Sequence, residues 1–156
     1  MQDPLDTTDL ALLRELQDDA RLTSAELGTR LSISQSPAWR RLKRLEQVGV
    51  IEGYRAVLNR KQLGLSVLAM VQISMDRHDD ASARAFEQAV SEIPQVVFCH
   101  GMSGPEDFLL LVVARDLEDY SNTLLGKLRS LPSVKSIRTS FSLKAIKDDI
   151  AIRISV

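Results

Sequence analysis

Between Ser34 and Val48 the chain gathers the side chains best suited to grip a polyanion. The run Ser34-Gln-Ser-Pro-Ala-Trp-Arg-Arg-Leu-Lys-Arg-Leu-Glu-Gln-Val48 sets Arg40, Arg41, Lys43 and Arg44 almost side by side. Ser34 is a good helix N-cap, and Pro37 is tolerable because it falls in the first turn. At about 100° per residue, Ala38, Leu42, Leu45 and Val48 share one stripe that must pack inward. Ser36, Arg40, Lys43 and Gln47 then face the other way, with Arg41 and Arg44 on a flank. Guanidinium forks suit guanine edges, and the short polar groups of Ser34, Gln35 and Ser36 suit bases or phosphates, so this helix fits a DNA major groove. The same face would also serve an ordinary solvated surface helix. Trp39 borders the stripe, where it either completes packing against the following segment or touches a base.

Net charge decides little until it is localised. The chain totals −1, but from Ser34 to Lys61 the cations Arg40, Arg41, Lys43, Arg44, Arg55, Arg60 and Lys61 face only Glu46 and Glu52, a local +5. A phosphate backbone feels that local field rather than the total. At 156 residues the chain has room for one domain or two small ones with real apolar cores. No apolar run reaches the length of a membrane span, and the acidic start lacks a signal-peptide pattern. Cys99 is the only cysteine, so no internal disulfide forms, which fits a reducing cytosol.

Three helices are needed to present the basic one. Leu5-Asp6-Thr-Thr-Asp9-Leu10 opens the first, with Asp6 as N-cap, Asp9 in the first turn and Leu5 placed to staple onto Leu10. Leu12, Leu13 and Leu16 supply its buried stripe. Thr23-Ser-Ala-Glu26 is a capping box for a second helix that carries Ala25, Leu27 and Leu31 inward. Only Ser32 and Ile33 separate that helix from Ser34, the spacing of a helix-turn-helix. Gly49 ends the third helix, and Val50 to Leu58 reads as a short two-stranded wing. Arg55, Arg60 and Lys61 sit where wing or linker can meet flanking phosphates, or simply aid solubility.

Beyond Gly64 the texture changes. Leu65 to Asp76 alternates as a strand, and a helix from about Asp80 buries Phe86, Ala89, Val90 and Ile93 before Pro94. Val96–Met102 and Asp107–Ala114 are strands joined by the turn Ser103-Gly-Pro-Glu106. Asp116 caps a helix with the stripe Leu117, Tyr120, Leu124, Leu128 and Leu131, ended by Pro132. Val134 to Ile146 is a fourth strand and Ile150 to Ile154 a possible fifth. The order βαββαβ predicts a ferredoxin-like sheet with both helices on one face, and apolar residues on both sides of several strands predict that a second copy covers the other. The fold class is therefore α+β: a winged helix-turn-helix DNA-binding domain over 1–52, wing strand and linker over 53–64, and a ferredoxin-like βαββαβ domain over 65–156 that a second copy would cover.

The remaining reactive residues point to no catalysis. His100 and Cys99 beside the hairpin are too few for a metal site, and Met70, Met75 and Met102 read as core filler. No paired carboxylates, nucleophile with base, or phosphate loop occurs at readable spacing, so neither an enzyme nor a bound cofactor is expected.

The run Leu31-Ser-Ile-Ser-Gln-Ser-Pro-Ala-Trp-Arg-Arg-Leu-Lys-Arg-Leu-Glu46, followed by Gly49-Val-Ile and Gly53-Tyr54, resembles the DNA-binding half of the Lrp/AsnC (feast/famine) family of transcription factors. The opening Leu5-Asp6…Asp9, the hairpin Ser103-Gly104…Asp107-Phe-Leu-Leu110, Leu131-Pro-Ser-Val134 and Thr139-Ser-Phe-Ser-Leu-Lys-Ala-Ile-Lys147 extend the likeness over nearly the whole chain.

The resemblance implies a cytoplasmic, nucleoid-associated regulator of double-stranded DNA, acting on a pseudo-palindromic operator. It implies a homodimer formed through the βαββαβ domain, assembling to a tetramer, octamer or larger, with no membrane partner. It also implies an amino-acid effector held between dimers. Gly101, Met102, Ser103, Gly104 and Asp107 would form one wall of that pocket, and Thr139, Ser140, Phe141 and Ser142 another. Pro105-Glu106 departs from the family pattern as a stiffer, more acidic turn. The same fold would also support a nucleoid-associated architectural protein that wraps DNA without an effector.

Overall fold

The computed structural model describes residues 4–147 and Ile154. The chain divides into two compact units, Met1–Val57 with Lys147–Val156, and Leu58–Ile146.

In the first unit α1 spans Thr7–Asp18, α2 Ser24–Arg30 and α3 Gln35–Gln47. Each of the first two starts on the expected signal. The Asp6 carboxylate accepts the Asp9 N–H while the Asp9 side chain accepts the Asp6 N–H, and Thr23 and Glu26 repeat the arrangement. Ser34 does stand at the N-cap of α3, but its hydroxyl makes no capping hydrogen bond. Leu12, Leu13, Leu16, Leu27, Ala38 and Leu45 form the core, ringed by Leu22, Leu31, Ile33, Leu42, Ile51 and Ile154.

Two expected members of these stripes lie outside. Ala25 is exposed on α2, and Val48, expected at the inner face of α3, is the C-cap and is exposed. The chain leaves the helix there because Gly49 takes φ +77°, a left-handed conformation glycine adopts without steric cost. The two-stranded wing is also absent: residues 50–58 contain no strand, and Val57 and Leu58 are solvent-exposed. A two-stranded hairpin with nothing to pack on is marginal in water, and this segment meets no third strand.

The second unit is the expected βαββαβ. Strands β1 (Val67–Met75), β2 (Val96–Gly101), β3 (Phe108–Ala114) and β4 (Val134–Phe141) form one antiparallel sheet in the order β2-β3-β1-β4. Helix α4 is Asp80–Ser91; α5 runs through Leu117–Asp119, a π-turn at Tyr120–Leu124, and Leu125–Arg129. Ala69, Val71 and Ile73 of β1 with Leu110 and Val112 of β3 pack against Phe86, Val90, Tyr120, Leu124 and Leu128. Leu117, expected in that stripe, is exposed, since the extra residue of a π-turn rotates the preceding turn out of phase by about 100°.

Strand β4 ends at Phe141 rather than Ile146, and Leu143 and Ile146 are almost fully exposed. Its last ladder bond, Ser142 N–H to the Leu68 carbonyl, is made at the start of β1, and the following residues have no ladder partner among the described residues. Most of the expected fifth strand, residues 150–153, lies outside the described residues. Ile154 is not in a strand; its side chain packs on the first unit's core and its carbonyl accepts from Arg14 Nε at 3.2 Å.

Candidate functional sites

The basic helix is presented as its spacing predicts. Ser36, Arg40, Lys43 and Gln47 are all exposed, opposite the buried Ala38 and Leu45. Ser34 and Gln35 open the same surface, and Gln35 Nε2 lies 3.4 Å from Ser24 Oγ on α2. Trp39 is half-exposed on the rim. Lys43 Nζ bonds Glu46 at 2.7 Å, and Glu46 also accepts from the Tyr54 hydroxyl at 3.1 Å. The Lys43 ammonium and the Tyr54 hydroxyl hold the Glu46 carboxyl below its ordinary range despite some desolvation.

Arg41 and Arg44 are set apart. Arg41 Nη1 lies 2.6 Å from Asp6 Oδ2 and 2.8 Å from Asp9 Oδ1, while Arg44 Nη2 bonds Asp9 Oδ2. Asp9 is fully buried. Burial pushes its carboxyl up, yet the hydrogen bonds from Arg44, the Asp6 N–H and Arg41 outweigh that and leave it below the usual carboxylate value. Sequence reasoning treated Asp9 only as a first-turn charge. Its position, three, four and seven residues before Leu12, Leu13 and Leu16, is the signal that places it on the buried stripe.

Between the cap residues Leu31 and Ser34, the turn from α2 to α3 is made by Ser32 and Ile33. Ser32 adopts φ +55°, and the Ile33 N–H reaches back to the Gly28 carbonyl at 2.9 Å. A Cβ on Gly28 would stand 2.8 Å from the Ile33 carbonyl oxygen. That glycine therefore sets how closely the two helices approach.

In the second unit the two expected walls do not meet within one chain. Gly101 closes β2, and Met102, Ser103 and Gly104 form the exposed turn; the Met102 N–H bonds the Asp107 carbonyl at 2.8 Å. Asp107 is tied to its own chain, its Oδ2 accepting the Met75 N–H at 2.6 Å and its Oδ1 lying 3.4 Å from His78 Nδ1. Thr139, Ser140 and Phe141 lie on β4, the opposite edge of the sheet from β2. Crossing three strand spacings takes about 14 Å. Thr139 and Phe141 pair with the buried Val71 and Ala69 and so face the helices, where Thr139 bonds the Tyr120 hydroxyl and Phe141 meets the Tyr120 ring edge-on at 5.1 Å. Ser140 pairs with Met70 on the open face, and Ser142 is exposed just past the strand.

Glu106, in the departing turn, reaches across the open face. It accepts from the Ser74 hydroxyl and lies 3.1 Å from Arg138 Nη1 on β4. Cys99 is half-buried against the core, and desolvation pushes its thiol up to about 11. Among the described residues no His, Cys, Asp or Glu group is placed to hold a metal ion, and no helix is long and apolar enough to cross a membrane.

With that geometry in view, comparisons with known proteins are direct. Residues 5–52 match the family model for winged helix-turn-helix DNA binding, and residues 68–152 match that of the Lrp/AsnC ligand binding domain. The leucine-responsive regulatory protein of Rhizobium meliloti is 37% identical over 150 residues, covering 96% of each chain. The Bkd operon transcriptional regulator of Pseudomonas aeruginosa is 35% identical over 142 residues, covering 91% of this chain and 93% of that one. Among solved structures, a transcriptional regulator of Neisseria meningitidis in complex with L-Met superposes with a TM-score of 0.90 at 34% identity, covering 96% of this chain and 97% of its own. An AsnC family regulator from Agrobacterium tumefaciens gives 0.89 at 30% identity with the same coverage. Similarity of this extent runs through both units, and the chain belongs to the Lrp/AsnC family of DNA-binding transcriptional regulators.

Proposed function

We propose that this chain, working in the cytoplasm on the nucleoid, binds a pseudo-palindromic operator as a homodimer and adjusts transcription in response to an amino acid. The observation that carries the reading is the outward row Ser36, Arg40, Lys43 and Gln47, held there by Ala38, Leu42 and Leu45 behind it. Two such helices in a dimer would enter successive major grooves, with Ser34, Gln35 and Trp39 at the rim. Arg55, Arg60 and Lys61 would reach flanking phosphates. The functional division is 1–52 for DNA, 53–64 as linker and 65–146 for effector and assembly, with 147–156 grouped with the DNA-binding unit, and the chain acts as a regulator rather than an enzyme.

An amino acid is the ligand class favoured for the second unit, on the strength of the L-Met held by the Neisseria relative. Its site would need more than one copy: Gly101, Met102, Ser103 and Gly104 stand at the β2 edge of the sheet with Asp107 one strand in, and Thr139, Ser140, Phe141 and Ser142 at the β4 edge. Glycine-rich backbone amides can receive a carboxylate, and hydroxyls or Asp107 an ammonium. The half-exposed Met70 on the open face calls for a second chain to cover it, and dimers so formed would assemble to tetramers, octamers or larger. The ligand shifts assembly only if it binds two arrangements unequally.

The test joins two measurements. Binding to a panel of promoter duplexes and to random duplex at fixed salt should show specific binding tighter by on the order of 10³ or more, and Arg40→Ala should lower it by about 1–3 kcal/mol. Thermal-shift screening of the twenty amino acids with light scattering should show a ligand that stabilises the protein and changes its mass. Equal affinity for all duplexes would favour an architectural DNA-wrapping role instead.

A further inference from the structure

Asp9 is the one fully buried charged residue among those described, and both its oxygens are committed to arginines of the helix assigned to DNA. Asp6 doubles the grip on Arg41 from outside. The guanidiniums are therefore held toward α1 on the flank of α3, beside rather than within the exposed row. Neither arginine can leave Asp9 for a phosphate without stranding a buried carboxylate, a cost that a screened surface contact does not return, and while in place its charge is already balanced by the carboxylates.

We propose that Asp9, with Asp6 as its outer partner, is a positioning residue for DNA recognition. By holding Arg41 and Arg44 against α1 it fixes the rotation of α3 and withholds two cations from the phosphate backbone. Reading is left to Arg40, Lys43 and Gln47. The functional logic is discrimination: a helix that offered every cation to phosphates would tighten binding to all sequences alike, because backbone contacts carry no sequence information. This inference rests on the reading of α3 as the DNA-contacting helix.

Salt dependence separates the alternatives, because each phosphate contact adds about 0.9 to the slope of log K against log salt. The full-length protein is titrated onto a labelled random-sequence duplex between 50 and 200 mM KCl, with Arg40→Gln as reference. On random duplex, where Arg40 has no matching base and falls back on a phosphate, Arg40→Gln should reduce the slope by about 0.9, whereas Arg41→Gln and Arg44→Gln should leave it within about 0.3 of the parent. Asp9→Asn, which keeps an acceptor for the Asp6 N–H but loses its charge, should steepen the slope by about 0.9–1.8 and tighten random-duplex binding. A residue serving stability alone would not move the slope in that direction.

Should the arginine or Asp9 variants melt below assay temperature, Asp6→Asn keeps the test alive, since Asp6 is half-exposed and its loss loosens Arg41 alone, which stays tied to Asp9. Its slope should steepen by a part of one contact, up to about 0.9. The proposal is overturned if Arg41→Gln or Arg44→Gln flattens the slope as much as Arg40→Gln, or if Asp6→Asn and Asp9→Asn leave it unchanged. A slope indifferent to Arg40 as well would refute the assignment of α3 to DNA itself.

Discussion

Replacing Gly28 by alanine tests whether the helix-turn-helix spacing is set by a single missing methyl. In α2 an alanine is otherwise welcome, since it gains about 0.8–1 kcal/mol over glycine in a helix interior. Against this, the new Cβ would sit 2.8 Å from the Ile33 carbonyl oxygen and 3.3 Å from both the Gln35 nitrogen and the Ser34 carbonyl carbon. All three are backbone atoms of the turn, so no rotamer change relieves the contact. Overpacking of this kind typically costs about 1–3 kcal/mol. Subtracting the helix gain leaves a net loss of about 1 kcal/mol, reaching about 2 if the turn cannot yield. Trp39 is the only tryptophan and lies on α3, so its fluorescence reports this unit without interference from the other. With a urea m-value of about 1 kcal/mol per M, the unfolding midpoint should fall by about 1 M. An unchanged or higher midpoint would refute the idea that contact at Gly28 governs the approach of α2 to α3.

Ser32→Gly should stabilise the unit by up to about 1 kcal/mol and raise the same midpoint by up to about 1 M, because a left-handed φ of +55° is strained for serine and free for glycine. Acid should act late: Asp6 and Asp9 both titrate below their ordinary value, so their contribution to stability is complete above about pH 4 and lost only as pH falls through the lowered folded values. Trp39 fluorescence against pH should therefore be flat from 7 to 5 and break only in strong acid; Asp9→Asn should remove most of that break. Cys99, with a thiol pushed up to about 11, should react negligibly with iodoacetamide near pH 7.5 in the folded protein and at the usual thiol rate in urea. Glu106→Gln should loosen the hairpin's tie to Arg138 and raise amide exchange at Ser74 and its neighbours, with little change in the melting of the first unit.

What could be read from residue types was whatever depended on local signals. Asp6 and Thr23 begin helices because a short acceptor meets a free N–H three residues on, and that chemistry needs no tertiary knowledge. The alternation in Leu68–Met75 was equally legible, since it repeats with the pleat. The errors arise where a neighbour decides. Residues 50–58 have strand-like composition but nothing to pair with, and 143–146 outrun the length of β1. Leu117 keeps helical spacing with Tyr120 and Leu124 on paper, yet a π-turn between them breaks the phase. On α3, type and spacing picked out the outward row well. They could not reveal that Arg41 and Arg44 answer to a carboxylate more than thirty residues earlier, because a charge on a leucine stripe looks at first like surface.

The placement of β1 between β3 and β4 has a mechanical consequence. Its backbone is laced on both edges, with Val67 to Ile73 against Phe108–Ala114 and Ala69 to Met75 against Val134–Phe141. A slip by a single residue would turn Ala69, Val71 and Ile73 to solvent and Met70, Gln72 and Ser74 into the core, so sliding is forbidden from either side. The glycine turn at one corner and the serine-bearing edge at the other are thus ends of a stiff plate. Pressure applied at one must tilt the whole plate rather than stretch it, and a small molecule wedged between neighbouring copies would act like a shim under a hinge.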